Sequence, residues 1–197
     1  MSFKLGLTGS IGMGKSTTAQ MFADAGCDVW DADAAVHRLY AKDGAAVVPM
    51  QARFPDVIVD GAVSRDALRE VIGADSSALK AIEQIVHPLV GQDRARFVSE
   101  SNKAILVFDI PILFETGGNT AMDAVACVSI DSETQRARVL ARGTMNEAQF
   151  EQILAKQMPI EEKRALSDYV IETDTLEHAR EQVLAIVEDI KGKLKHA

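Results

Sequence analysis

The chain has 197 residues, 47% of them hydrophobic and 25% charged, with a formal net charge of −8. That balance excludes a disordered or fibrous protein, and the length suits one domain with at most a smaller appended unit. No apolar run reaches the ~20 residues of a membrane-spanning helix, and the acidic balance argues against broad nucleic-acid binding while leaving room for a local basic cluster that holds a small anion.

The first predicted element is a strand over Phe3 to Thr8, with no signal peptide ahead of it. Gly9-Ser10-Ile11-Gly12-Met13-Gly14-Lys15-Ser16 follows, then a helical pattern from Thr17 through Ala25 with Ala19, Met21 and Phe22 apolar. Asp28 to Trp30 reads as a short strand that ends in Asp31-Ala32-Asp33. Residues 43–101 contain no clear buried strand and read as a mainly helical insertion. Within it a helix is expected from about Ser76 to about Glu100, kinked or broken at Pro88. Ala104 to Phe108 is a fully apolar run of the buried parallel kind, followed by Asp109-Ile110-Pro111-Ile112-Leu113-Phe114-Glu115. Ala124 to Ile130 is a further strand. Residues 133–167 read as helical, polar and rich in charge, in a place where a mobile lid would fit. Tyr169 to Glu172 is the fifth strand, and Leu176, Ala179, Val183, Val187, Ile190 and Leu194 mark a C-terminal helix. The alternation predicts βα units and a mostly parallel sheet. Cys27 and Cys127 match no metal or redox spacing, so a reduced, cytoplasmic compartment is expected.

The segment Gly9 to Ser16 fits G-x-x-x-x-G-K-[ST] between a strand and a helix. Glycines let the backbone turn tightly and aim its N–H groups at phosphate oxygens, and the helix N-terminus adds partial positive charge. Lys15 suits the β/γ-phosphates and the Ser16 hydroxyl suits Mg²⁺. The phosphate-binding set is therefore Gly9, Ser10, Ile11, Gly12, Met13, Gly14, Lys15, Ser16 and Thr17. A dinucleotide fingerprint fails because position 17 is Thr17 rather than Gly or Ala. No Asn-Lys-x-Asp guanine-reading segment is present and the chain is short for a motor, which favours a small kinase.

Asp31 and Asp33 follow the second strand, at a carboxyl end where ligands bind in open α/β sheets. Either could bind Mg²⁺ or take a proton from an attacking hydroxyl, and Asp33 could also cap the next helix. Asp109, at the end of a buried strand, is the candidate Mg²⁺-orienting acid, with Glu115 a weaker one. Arg138 and Arg142 share a helix face suited to transferring phosphoryl oxygens, whereas Arg136 reads as a solvated surface charge. His37 reads as a helix surface group, and His87 as a structural or substrate-contact residue.

These segments together resemble the dephospho-CoA kinase family. The resemblance rests on LTGSIGMGKST, DVWDAD, HPLV, DIPILFE, QRARVLAR, QILAKQ and SDYVIET, which occur in the family's order from Phe3 to about Ile190. It implies an α/β, P-loop kinase-like three-layer sandwich with a five-stranded parallel sheet, a helical CoA-binding insertion over 43–101 and a helical lid over 133–167. The core would then be 1–42, 102–132 and 168–197. It further implies Mg²⁺-dependent transfer from ATP to the ribose 3′-hydroxyl of dephospho-CoA. Asp33 corresponds to the family's base, Arg142 to its lid arginine, and Arg65 and His87 to substrate-binding positions. Gln157 matches a lid glutamine to which the chemistry assigns no role. The family commonly carries Asn-x-Gly after the last strand, where this chain has Glu172-Thr173-Asp174. The implied partners are ATP and dephospho-CoA, with no nucleic acid or membrane. The alternatives are a related kinase for another small alcohol or nucleotide, and a nucleotide-binding switch that transfers nothing.

Overall fold

The computed structural model describes residues 2–195. In chain order the elements are β1 (Phe3–Gly9), α1 (Lys15–Asp24), β2 (Asp28–Asp31), α2 (Ala32–Tyr40), α3 (Val47–Arg53), β3 (Ile58–Val59), β4 (Ala62–Val63), α4 (Arg65–Ala74) and α5 (Ser77–Glu100). They continue with β5 (Ile105–Asp109), β6 (Ala124–Ser129), α6 (Ser132–Ala141), α7 (Glu147–Leu154), α8 (Ile160–Leu166), β7 (Tyr169–Glu172) and α9 (Leu176–Lys195). The chain divides into two compact units. One comprises the residues up to Trp30 together with those from Ser101 onward, and the other comprises Asp31–Glu100.

The first unit is built on a five-stranded parallel sheet in the order β2-β5-β1-β6-β7. Leu5, Leu7, Ile105, Val107, Ala126 and Val128 face one side, where Phe22 of α1 and Val183, Val187 and Ile190 of α9 close over them. The alternate residues Leu106, Phe108 and Cys127 are equally buried, and the Trp30 ring lies 6.1 Å from that of Phe108. Burial on both faces is why these strands read as unbroken apolar runs. The chain moves from β1 out to β2, returns to β5, then crosses to β6 and β7. That reversal opens a crevice at the carboxyl end of β1, where Gly9 leads into the phosphate loop.

The second unit packs α2 to α5 around Leu39, Met50, Val57, Val63, Leu68, Ile82 and Val86. It begins at Asp31 rather than at position 43, because α2 packs on α5, with Arg38 Nη2 donating to Asp93 at 2.6 Å. The helix around Pro88 has the expected bounds but no break. α5 runs unbroken from Ser77 to Glu100, since the proline removes a single backbone bond while Ile82 and Val86 stay seated in the core. β3 and β4 form a small antiparallel hairpin that the sequence reading passed over. Its turn is Asp60-Gly61, both at positive φ (51° and 80°), the conformation that an Asp-Gly pair favours in a two-residue hairpin loop.

Both cysteines are buried, Cys27 just before β2 and Cys127 within β6. Burial pushes each thiol up to about 11.

Candidate active site

The loop after β1 has the geometry its glycines allow. Gly12 and Gly14 hold φ of 78° and 86°, a region that a side chain enters only with strain. A Cβ on Gly12 would in addition run into Val139 of α6. Gly14 caps α1, and Lys15 and Ser16 are the first residues of that helix, at its partly positive end.

Lys15 Nζ pairs with Asp109 at the end of β5, whose side chain is 2% exposed. The loop is also braced from outside. Gln135 Nε2 donates to the Ile11 carbonyl at 2.7 Å, and the Ile11 N–H donates to Gln157 Oε1 at 3.2 Å. Thr173 Oγ1 donates to the Met13 carbonyl at 2.8 Å. Arg138 holds Thr173 in turn, donating to its carbonyl at 2.7 Å and to its hydroxyl at 3.2 Å. Beside the loop, Gly12, Gly14, Thr17, Arg138, Arg142 and Thr173 line part of a cleft of about 280 Å³.

Of the two arginines on one face of α6, the structure therefore gives Arg138 a bracing duty and leaves Arg142 on the cleft. Arg136 lies apart, paired with Glu147 on the surface. Glu115 is exposed but paired rather than free in solvent. It binds Lys163 Nζ at 2.8 Å and accepts the Met158 N–H at 2.9 Å. Lys163 is fully buried and also donates to the Pro111 carbonyl at 2.9 Å. Partial burial pushes the Glu115 carboxyl up, but the hydrogen bonds from Lys163 and Met158 outweigh it, and the net shift is downward.

This pair gives a stability test. Lys163→Met takes the ammonium from Glu115, which keeps the Met158 N–H, and is expected to cost about 1–3 kcal/mol in urea unfolding, whereas Lys163→Met with Glu115→Gln should recover part of it. Because the folded Glu115 pKa lies below its ordinary 4.5, the pair's contribution is complete above that value and is lost as the pH falls through the folded pKa.

In the second unit, Asp31 caps α2, accepting the Ala34 N–H at 2.9 Å. Asp33 is thus not the cap. It lies in the first turn of α2, exposed. Arg65 opens α4, with its guanidinium 6.0 Å from the centre of the Tyr40 ring. His87 lies exposed midway along α5, and no hydrogen bond or ring contact joins it to Arg65 among the described residues. Gln135, Gln157, Thr173 and Lys163 are the working residues that sequence reasoning missed or left without a role.

The oxygen donors near the loop are hard ones, the exposed Ser16 hydroxyl and the Asp109 carboxylate. Two such donors fit Mg²⁺, which usually completes its shell with phosphate oxygens and waters.

Comparison with known proteins agrees with this geometry. The family model for dephospho-CoA kinase matches residues 3–178. A dephospho-CoA kinase of Ruegeria pomeroyi is 69% identical over 197 residues, covering 100% of both chains. A Thermus thermophilus protein of known crystal structure superposes with a TM-score of 0.86 at 30% identity, covering 95% of this chain and 97% of that one. The dephospho-CoA kinase of Campylobacter jejuni shares the fold, with a TM-score of 0.71 at 23% identity over 98% of this chain and 100% of that one. With the phosphate loop, the parallel sheet and these matches in hand, the chain belongs to the dephospho-CoA kinase family.

Proposed function

We propose that this protein transfers the γ-phosphoryl group of ATP to the ribose 3′-hydroxyl of dephospho-CoA, giving ADP and CoA, the last step of CoA biosynthesis, in the cytoplasm. The observation that carries this reading is the complete phosphate loop at the head of α1, with Lys15 poised against Asp109, in a chain of this family.

The loop N–H groups and the α1 terminus hold the ATP phosphates, and Lys15 exchanges Asp109 for their oxygens. Asp33 orients the 3′-hydroxyl and takes its proton as the new O–P bond forms and the bond to the β-phosphate oxygen breaks. Arg142 meets the charge on the transferring oxygens. Ser16 and Asp109 would hold Mg²⁺, which would supply charge neutralisation at the phosphates. Arg65 and His87 belong to the acceptor side, in the helical unit that we assign to CoA binding. The helices α6 to α8 act as a lid that excludes water, so that ATP is not simply hydrolysed.

The test is ADP release with Mg²⁺-ATP and dephospho-CoA, with adenosine and pantetheine phosphate as controls. Release that depends on dephospho-CoA, with CoA as product, supports the assignment. ATP binding without turnover would move the search to other acceptors.

A further inference from the structure

Two carbonyls of the phosphate loop are held by side chains from outside it: that of Ile11 by Gln135 and that of Met13 by Thr173. The chain contains no cis peptide among its described residues. In a trans peptide the carbonyl and the next N–H point in opposite directions. Fixing the Ile11 oxygen toward α6 therefore turns the Gly12 N–H away from α6, toward the inside of the loop. Fixing the Met13 oxygen toward Thr173 does the same to the Gly14 N–H. Both glycines hold the left-handed conformation that makes successive N–H groups converge into an anion-binding concavity.

We infer that Gln135 and Thr173 are positioning residues that aim the Gly12 and Gly14 N–H groups at the nucleotide phosphates. Gln135 is buried at 4% exposure and Thr173 at 8%, so their bonds to the loop meet little competition from water. Arg138 keeps the Thr173 hydroxyl turned to Met13, because it already donates to that oxygen. Gln157, accepting the Ile11 N–H, removes that group from phosphate duty and pins the preceding peptide, on the other side of the Ile11 Cα. Gln135, Arg138 and Arg142 recur at spacings of three and four along α6, so one helix face carries the aiming residue, its neighbour's brace and the cleft arginine.

This inference rests on ATP as donor, not on the identity of the acceptor. Thr173→Val keeps the shape and loses the hydroxyl; Thr173→Ser keeps the hydroxyl. Titrating each folded variant with Mg²⁺-ADP by calorimetry should show affinity about tenfold weaker for Thr173→Val and near wild type for Thr173→Ser. The KM for ATP should rise in parallel while the KM for dephospho-CoA stays put. Gln135→Met, which removes the other donor, should weaken ADP in the same way and decides the matter if Thr173→Val does not fold. Wild-type ADP affinity in Thr173→Val or in Gln135→Met overturns the inference, as does an equal loss in Thr173→Ser. Wild-type protein without dephospho-CoA-dependent turnover would sink the acceptor assignment, and the ADP titrations would still decide the aiming.

Discussion

Replacing Lys15 with methionine is expected to lower kcat/KM for ATP by about 10²–10³, because an ammonium aimed at developing phosphate charge is lost from a site where water does not replace it. The structure adds a second effect. Asp109 is nearly inaccessible and Lys15 is an ion-pair partner of it, so the single variant also takes an ammonium away from a buried carboxylate, at a cost of about 1–3 kcal/mol in stability. The two effects separate when the double variant Lys15→Met with Asp109→Asn is compared with Asp109→Asn alone, which carries the loss of the proposed Mg²⁺ ligand by itself. Urea unfolding of the double variant should return most of the way to wild type, and its turnover should stay below that of Asp109→Asn. If its turnover instead recovers with stability to the level of Asp109→Asn, Lys15 acts only as a structural partner. If kcat/KM never falls at all, its phosphate role is wrong.

The second large effect is expected at Asp33. Asp33→Asn should reduce kcat by about 10²–10⁴, the range associated with a positioned general base, and leave ADP affinity intact. Stability should hardly change. The carboxylate is exposed, and the capping duty that would have made it structural belongs to Asp31. A large drop in Tm with little change in kcat would reverse the two assignments. Retained turnover in a stable variant would remove Asp33 from the chemistry.

The phosphate loop was readable because its chemistry is contiguous: glycines, lysine and serine must follow one another between a strand and a helix, and nothing distant is needed to recognise them. The strands of the sheet were readable for a related reason, since burial on both faces leaves no polar residue in Leu106 to Phe108 or in Val125 to Val128. The braces were not. Gln135 meets Ile11 across 124 positions and Gln157 meets it across 146, and an isolated glutamine carries no pattern that points so far. Lys163 was hidden by its charge, which in a polar helical stretch suggests solvent rather than a fully buried contact with Glu115. Between Asp31 and Asp33, either residue fits a cap from sequence, and only the bond to Ala34 distinguishes them. Pro88 shows the opposite case, a local signal for a break that packing overrides. The Asp60-Gly61 turn needed no distant information and was open to a closer reading.

The two buried cysteines acquire a meaning from the proposed product. CoA ends in a thiol and its oxidised forms are disulfides, so an enzyme that makes it works beside a natural thiol–disulfide exchange partner. Exchange needs a thiolate with access to the disulfide. With both thiols pushed up to about 11 by burial, little of either is ionised at neutral pH, and both residues are buried. The protein is thereby insulated from covalent capture by the compound it makes, with no cysteine given up from its core.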